Sequence, residues 1–172
     1  MMWRVMVLCG LRIGECIALR KSDVLQEGLL VDESAYKGEA AQTKNRKRRL
    51  VPLPAVLRAE LEDWARTVKG DLLFPGRNGA MLNRKGEEVT PMLSRARKEL
   101  ALPDLTFRQC RTTFATLYRG DPRDLQAALG HSDLKLTMNI YRKPIVERQQ
   151  AAMDELEARL AGKLVPMKKK GA

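Results

Sequence analysis

Two short apolar runs open the chain, Trp3 to Leu8 and Ile13 to Leu19, and Gly10 between them predicts two short helices around a break. Leu29-Leu30-Val31 is a compact apolar block that reads as a buried strand. From Ala40 to Leu53 the pattern predicts a β-hairpin, with a basic cluster as its turn and Leu50, Val51 and Leu53 on the return strand. Pro54 stands where a helix can begin without losing a hydrogen bond, and Leu57, Leu61, Trp64 and Val68 follow at helical spacing. Phe74 to Gly86 is rich in turn residues, and a further helix is expected over about Val89 to Leu100.

The next segment is sharply punctuated. Thr106-Phe107-Arg108-Gln109 has the form of a capping box, and the helix it starts would carry Arg108 and Arg111 on one face. Asp121-Pro122 opens another helix, which Gly130 ends. Leu134 to Tyr141 predicts a short helix, and Ile145, Met153, Leu156, Leu160 and Leu164 mark a long amphipathic one reaching Pro166. That last helix needs a surface to cover. The fold class is therefore mainly α with a small β-sheet or hairpin, as one domain over residues 1–165 and a basic tail over 166–172.

Composition narrows the class. Among 172 residues, 32 are Lys or Arg and 21 are Asp or Glu, giving a net charge of +11. Such an excess calls for a polyanionic partner, with nucleic acid ahead of ribosomes and acidic membranes. No apolar run approaches a membrane span, and the start lacks the cleavage site of a signal peptide. Three cysteines, Cys9, Cys16 and Cys110, stand far from any CxxC pairing, which speaks against disulfides and structural zinc. A reducing, cytoplasmic setting is expected.

Several polar residues interrupt apolar surroundings. Arg12 lies in Gly10-Leu11-Arg12-Ile13-Gly14-Glu15, where a half-buried guanidinium needs an anion, although Glu15 alone could satisfy it. Arg111 likewise enters an apolar helix. His131 follows Leu129-Gly130 at a helix end, and singly it reads as a capping or packing residue. Tyr141, with Arg142 and Lys143 after it, would singly be an ordinary tyrosine. As a set, they suit transfer of a phosphodiester to a protein hydroxyl without metal. Guanidinium groups match phosphate oxygens and stay charged, a tyrosine can attack phosphorus, and a lysine can protonate the leaving oxygen.

Four motifs then stand in order: Gly10 to Glu15; Lys44-Asn45-Arg46-Lys47-Arg48-Arg49-Leu50-Val51-Pro52-Leu53; Arg108 to Thr116; and Leu129-Gly130-His131-Ser132 leading to Tyr141. In these the chain resembles the catalytic domain of tyrosine recombinases, the phage integrase family. The resemblance implies the DNA breaking-rejoining fold. It implies Arg12 and Arg111 as phosphate-clamping arginines, Glu15 as a support for Arg12, and Lys44, rather than Lys47, as general acid toward the 5′-oxygen. It further implies His131 beside a non-bridging oxygen and Tyr141 as the nucleophile of a 3′-phosphotyrosyl bond. Arg46, Lys47, Arg48, Arg49, Arg142 and Lys143 would contact DNA. No cofactor or metal is implied. The partners would be double-stranded DNA and either further copies of the chain, in a tetramer on DNA, or a full-length recombinase.

Two departures from the family's pattern qualify the expectation. Where the family has histidine in its second box, this chain has Arg108, which cannot accept a proton. Proton transfer from Tyr141 is then lost or carried elsewhere. The first arginine motif also lies close to residue 1, so the domain is expected to be incomplete at its N-terminus, without the family's DNA-clamping domain, and to bind DNA weakly and largely without sequence preference. The leading expectation is site-specific DNA recombination. A catalytically weak or inactive DNA-binding remnant stands second. A type IB topoisomerase shares the chemistry, but the spacing from His131 to Tyr141 is more similar to integrases.

Overall fold

The computed structural model describes residues 1–42, 48–83, 88–131, 150 and 153–154. Helix α1 (Met2–Cys9) buries Met2, Val5, Met6 and Cys9, positions three and four apart. Gly10 stops it in the left-handed conformation, φ 66°, with its N–H donating to the Met6 carbonyl at 3.1 Å. A Cβ on Gly10 would run into the Phe114 ring. Helix α2 (Ile13–Ala18) starts three residues later and is buried along its whole length. Gly14 allows that closeness, since a Cβ there would lie 2.6 Å from Ser34 Oγ and 2.9 Å from the Ala35 carbonyl oxygen.

Four strands follow: β1 (Leu29–Val31), β2 (Glu33–Tyr36), β3 (Glu39–Gln42) and β4 (Arg49–Val51). Both ladders are antiparallel. β1 pairs with β4 from Leu29↔Val51 to Val31↔Arg49, and β2 with β3 from Glu33↔Gln42 to Tyr36↔Glu39. This corrects the expected hairpin. Its turn is Lys37-Gly38 rather than the basic cluster, with φ of 55° and 85°, the paired positive values that a two-residue hairpin turn requires. β3 and β4 pair with different strands, and Leu53 lies beyond β4. The outgoing arm passes from Val31 to Glu33 through Asp32 alone, whereas the six residues 43–48 separate Gln42 from Arg49. The basic stretch thus falls in the connection from β3 to β4.

Four more helices complete the described order: α3 (Ala55–Thr67), α4 (Val89–Glu99), α5 (Phe107–Leu117) and α6 (Pro122–Leu129). Their local signals act as the sequence indicates. Pro54 caps α3, and the Thr106 N–H donates to Gln109 Oε1 at 2.5 Å ahead of α5. Asp121 Oδ1 accepts the Arg123 N–H at 2.7 Å, and Gly130 closes α6 at φ 62°. α1 packs on α5, α2 on β2, and β4 against α6. The shared core includes Val5, Met6, Leu11, Ile17, Leu29 and Leu61. Cys9, Cys16 and Cys110 are free and buried, and burial pushes the Cys9 thiol up to about 12.

The helix expected over Leu134 to Tyr141 lies outside the described residues. Of the long amphipathic helix, residues 150, 153 and 154 are described and helical. They belong to a second compact unit, Tyr141–Ala172, in which Gln150 Nε2 donates to Asp154 Oδ1 at 2.8 Å. Among the described residues no helix is long and apolar enough to cross a membrane.

Candidate active site

The site is built where helix ends meet. The C-terminal carbonyls of a helix lack intrahelical partners and carry partial negative charge, so they attract cations. Arg111, on the inner side of α5, serves two such ends at once. Its Nη1 donates to the Gly10 carbonyl after α1 at 2.8 Å, and its Nη2 to the Leu129 carbonyl of α6 at 2.5 Å. Burial first, then repulsion from Arg12, pulls its pKa down to about 9, which leaves it a cation at neutral pH.

Arg12 sits at the N-cap of α2, and Glu15 lies one turn on. One Glu15 oxygen accepts the Arg12 backbone N–H at 2.8 Å, and the other accepts Arg12 Nη1 at 2.8 Å. The ion pair leaves the Arg12 side chain half exposed, while Glu15 is 2% exposed. Glu15 is thus the partner of Arg12, as one of the two readings of the sequence expected, and the other half of the Arg12 side chain is open to solvent.

Glu15 has a second cation. Arg49 on β4 approaches it as a fork, Nη2 to Oε2 at 2.7 Å and Nη1 to Oε1 at 3.1 Å, and sends Nε to the Ala128 carbonyl at 2.8 Å. Burial opposes charge on the Glu15 carboxyl, but hydrogen bonding and attraction from Arg49, then Arg12, outweigh it and hold the pKa below the usual range. The placement of Arg49 departs from the expectation of a DNA-facing side chain. It is 10% exposed and turned inward, whereas its neighbour Arg48 is 72% exposed, with Nε 4.0 Å from Asp32.

His131 follows Gly130 at the end of α6. Its backbone N–H donates to the Gln126 carbonyl at 3.1 Å, and its carbonyl accepts Gln126 Nε2 at 3.2 Å. Burial lowers the imidazole pKa to about 4, helped by repulsion from Arg111, Arg12 and Arg49, so the ring is neutral at neutral pH. Arg108 lies one turn before Arg111 but is exposed, and its guanidinium makes no hydrogen bond or ion pair among the described residues.

The structure thus brings Arg12, Glu15, Arg49, Arg111 and His131 together from the ends of three elements, α2, β4 and α6, and the face of a fourth, α5. Lys44, Arg46, Lys47, Tyr141, Arg142 and Lys143 lie outside the described residues. Sequence reasoning missed the inward role of Arg49, although a signal was present. Val51 is buried on β4, and the two-residue period of a strand puts Arg49 on the same face.

The comparisons bear on the family and the fold. The family model described as "Phage integrase family" matches residues 1–148. The tyrosine recombinase XerC of Methylobacterium sp. (strain 4-46) is 33% identical over 164 residues, covering 90% of this chain and 48% of that protein. The chain therefore spans about half the length of the curated relatives it matches. Among solved structures, the Tn1549 transposon integrase in complex with a circular intermediate DNA matches with a TM-score of 0.72 at 21% identity, over 89% of this chain and 57% of that one. The XerH site-specific recombinase bound to palindromic difH substrate, in a post-cleavage complex, matches with a TM-score of 0.64 at 26% identity, over 88% of this chain and 43% of that one.

Proposed function

The chain belongs to the phage integrase family, and from that premise we propose that it acts in site-specific DNA recombination, cutting and rejoining strands through Tyr141. The observation that carries this reading is the convergence of Arg12, Arg111 and His131 from three sequence motifs on one site. Charge supports it. Three guanidinium groups, Arg12, Arg49 and Arg111, surround the single carboxylate of Glu15, an excess of two positive charges among the described residues. A phosphodiester brings one negative charge and its five-coordinate phosphorane two. The site is therefore matched more fully by the transition state than by the substrate, which is the condition for catalysis.

In the proposed step the Tyr141 oxygen attacks phosphorus, the bond to the 5′-oxygen breaks, and Lys44 gives that oxygen its proton. The phosphotyrosyl bond retains the energy of the phosphodiester, so a 5′-hydroxyl can reverse the step. Arg108 cannot take the proton of Tyr141. His131, held neutral, is one group among the described residues of the site whose charge state allows it. The circular intermediate DNA in the Tn1549 complex and the palindromic difH substrate in the XerH complex support DNA as the substrate class.

A second reading, a DNA-binding remnant that does not cut, is favoured by Arg108 in the place of the family's histidine. Covalent trapping separates the two. Nicked duplexes carrying candidate crossover sequences from the flanking genome should give an SDS-resistant protein–DNA adduct that disappears in Tyr141→Phe. An adduct seen only with Arg108→His would assign the loss to that residue. DNA binding by a folded chain with no adduct in any variant would establish the remnant.

A further inference from the structure

Of the two adjacent arginines that begin the return to β4, one faces solvent and the other faces the site. Arg49 uses every nitrogen of its guanidinium inside the protein, two on Glu15 and one on Ala128. The Glu15 carboxylate it grips is the one that holds both the backbone and the side chain of Arg12. The Ala128 carbonyl precedes the Leu129 carbonyl held by Arg111, two residues before Gly130 and three before His131. Gly130 keeps the approach open, since a Cβ there would lie 3.2 Å from Arg49 Nη1. One planar fork therefore joins the start of α2 to the end of α6.

We propose that Arg49 is a positioning residue of the phosphate site, fixing Arg12 through Glu15 and the His131 end of α6 through Ala128, and that it does not contact DNA. The inference rests on the recombinase reading for its chemistry and on the observed hydrogen bonds for its geometry. A lysine would keep the charge but lose the fork, because an ammonium cannot engage both carboxylate oxygens and a carbonyl in one plane. Arg12 would then be free to swing with Glu15, and a small displacement of a reacting-site cation is costly to the rate.

The test compares full-length Arg49→Lys with the parent chain, chosen because a cation beside Glu15 is retained and the fold is spared. At saturating nicked duplex, cleavage should slow on the order of 100-fold, while DNA affinity stays within about two-fold, as expected when no phosphate contact is lost. Replacing the scissile phosphate with an uncharged methylphosphonate should shrink the deficit to below about ten-fold, because a neutral centre needs less charge stabilisation. A deficit that persists undiminished on the methylphosphonate would mean a general structural role. Weakened binding with an unchanged cleavage rate would mean an ordinary DNA contact. Either outcome overturns the proposal.

A second measurement needs no cleavage. His131 is the chain's single histidine, so its ring resonances are identified without assignment. Titrating inorganic phosphate should move them in the parent chain, and in Arg49→Lys only at several-fold higher concentration. An equal response in both overturns the proposal. A parent chain that forms no adduct but responds to phosphate would end the recombinase reading and leave this titration to decide on Arg49. A parent chain silent in both measurements would end both.

Discussion

The start of α2 and the middle of α5 each present an arginine to the same site, and they hold it in opposite ways. Arg12 is half exposed and its charge is shared with a carboxylate. Arg111 is sunk deeper, and its hydrogen bonds go to two main-chain carbonyls, which satisfy its N–H groups without cancelling its charge. The first arrangement tolerates an empty site; the second leaves a cation that an incoming anion would relieve. The difference separates a group tuned by its neighbour from a group stored in readiness. It also predicts that the two seats respond differently to substitution.

The largest effect on stability should come from the carboxylate. Glu15→Gln leaves Arg49 buried without a counter-charge, and should cost about 3–5 kcal/mol in denaturant unfolding. Acid approaches the same end by titration, in two stages. His131 has a folded pKa of about 4 against an ordinary 6.5, so the unfolded chain binds the proton first, and stability declines as the pH falls between those values. Glu15, held below its ordinary 4.5, adds a further loss as the pH drops past that value toward its folded one. A stability profile that is flat from pH 7 to 4 would contradict the neutral His131.

Arg111→Gln comes next. Two buried carbonyls lose their donor, costing about 1–3 kcal/mol, and adduct formation should fall about 100- to 1,000-fold. Arg12→Gln should match that loss of adduct formation but cost less than about 1 kcal/mol, since its pair is half exposed and Arg49 still neutralises Glu15. Equal destabilisation by the two substitutions would erase the distinction between the seats. The smallest effect belongs to Arg48→Gln. Its exposed, long pair with Asp32 contributes under about 0.5 kcal/mol, and loss of one phosphate contact should lower the salt slope of DNA binding by about 1.

Much of this was legible because it is local. Thr106 with Gln109, Asp121 with Pro122, and Gly130 announce helix boundaries through bonds that span only a few residues, and each boundary lies where the chain indicates. Strand pairing is not local. The basic cluster resembles a turn by composition, yet the closing energy comes from Leu29↔Val51 and its neighbours, and the tight turn is set by two positive φ values at Lys37-Gly38. Arg12, Arg111 and His131 were readable as a set through the resemblance. The carbonyls of Gly10, Ala128 and Leu129 were not, because a main-chain acceptor has no letter in the sequence. Arg49 was hidden by its company, as the last of five basic residues between positions 44 and 49.

Arg111 bonds to a carbonyl 101 positions earlier in the chain, and Arg49 to one 79 positions later. A chain still being synthesised has nothing to close that circuit until residue 129 has emerged, and one clipped between residues 15 and 111 never closes it. Such partial products carry basic residues of the chain without the closed site. The same long-range bonds that join the four arms of the site therefore make its assembly conditional on nearly the whole of the first unit being present.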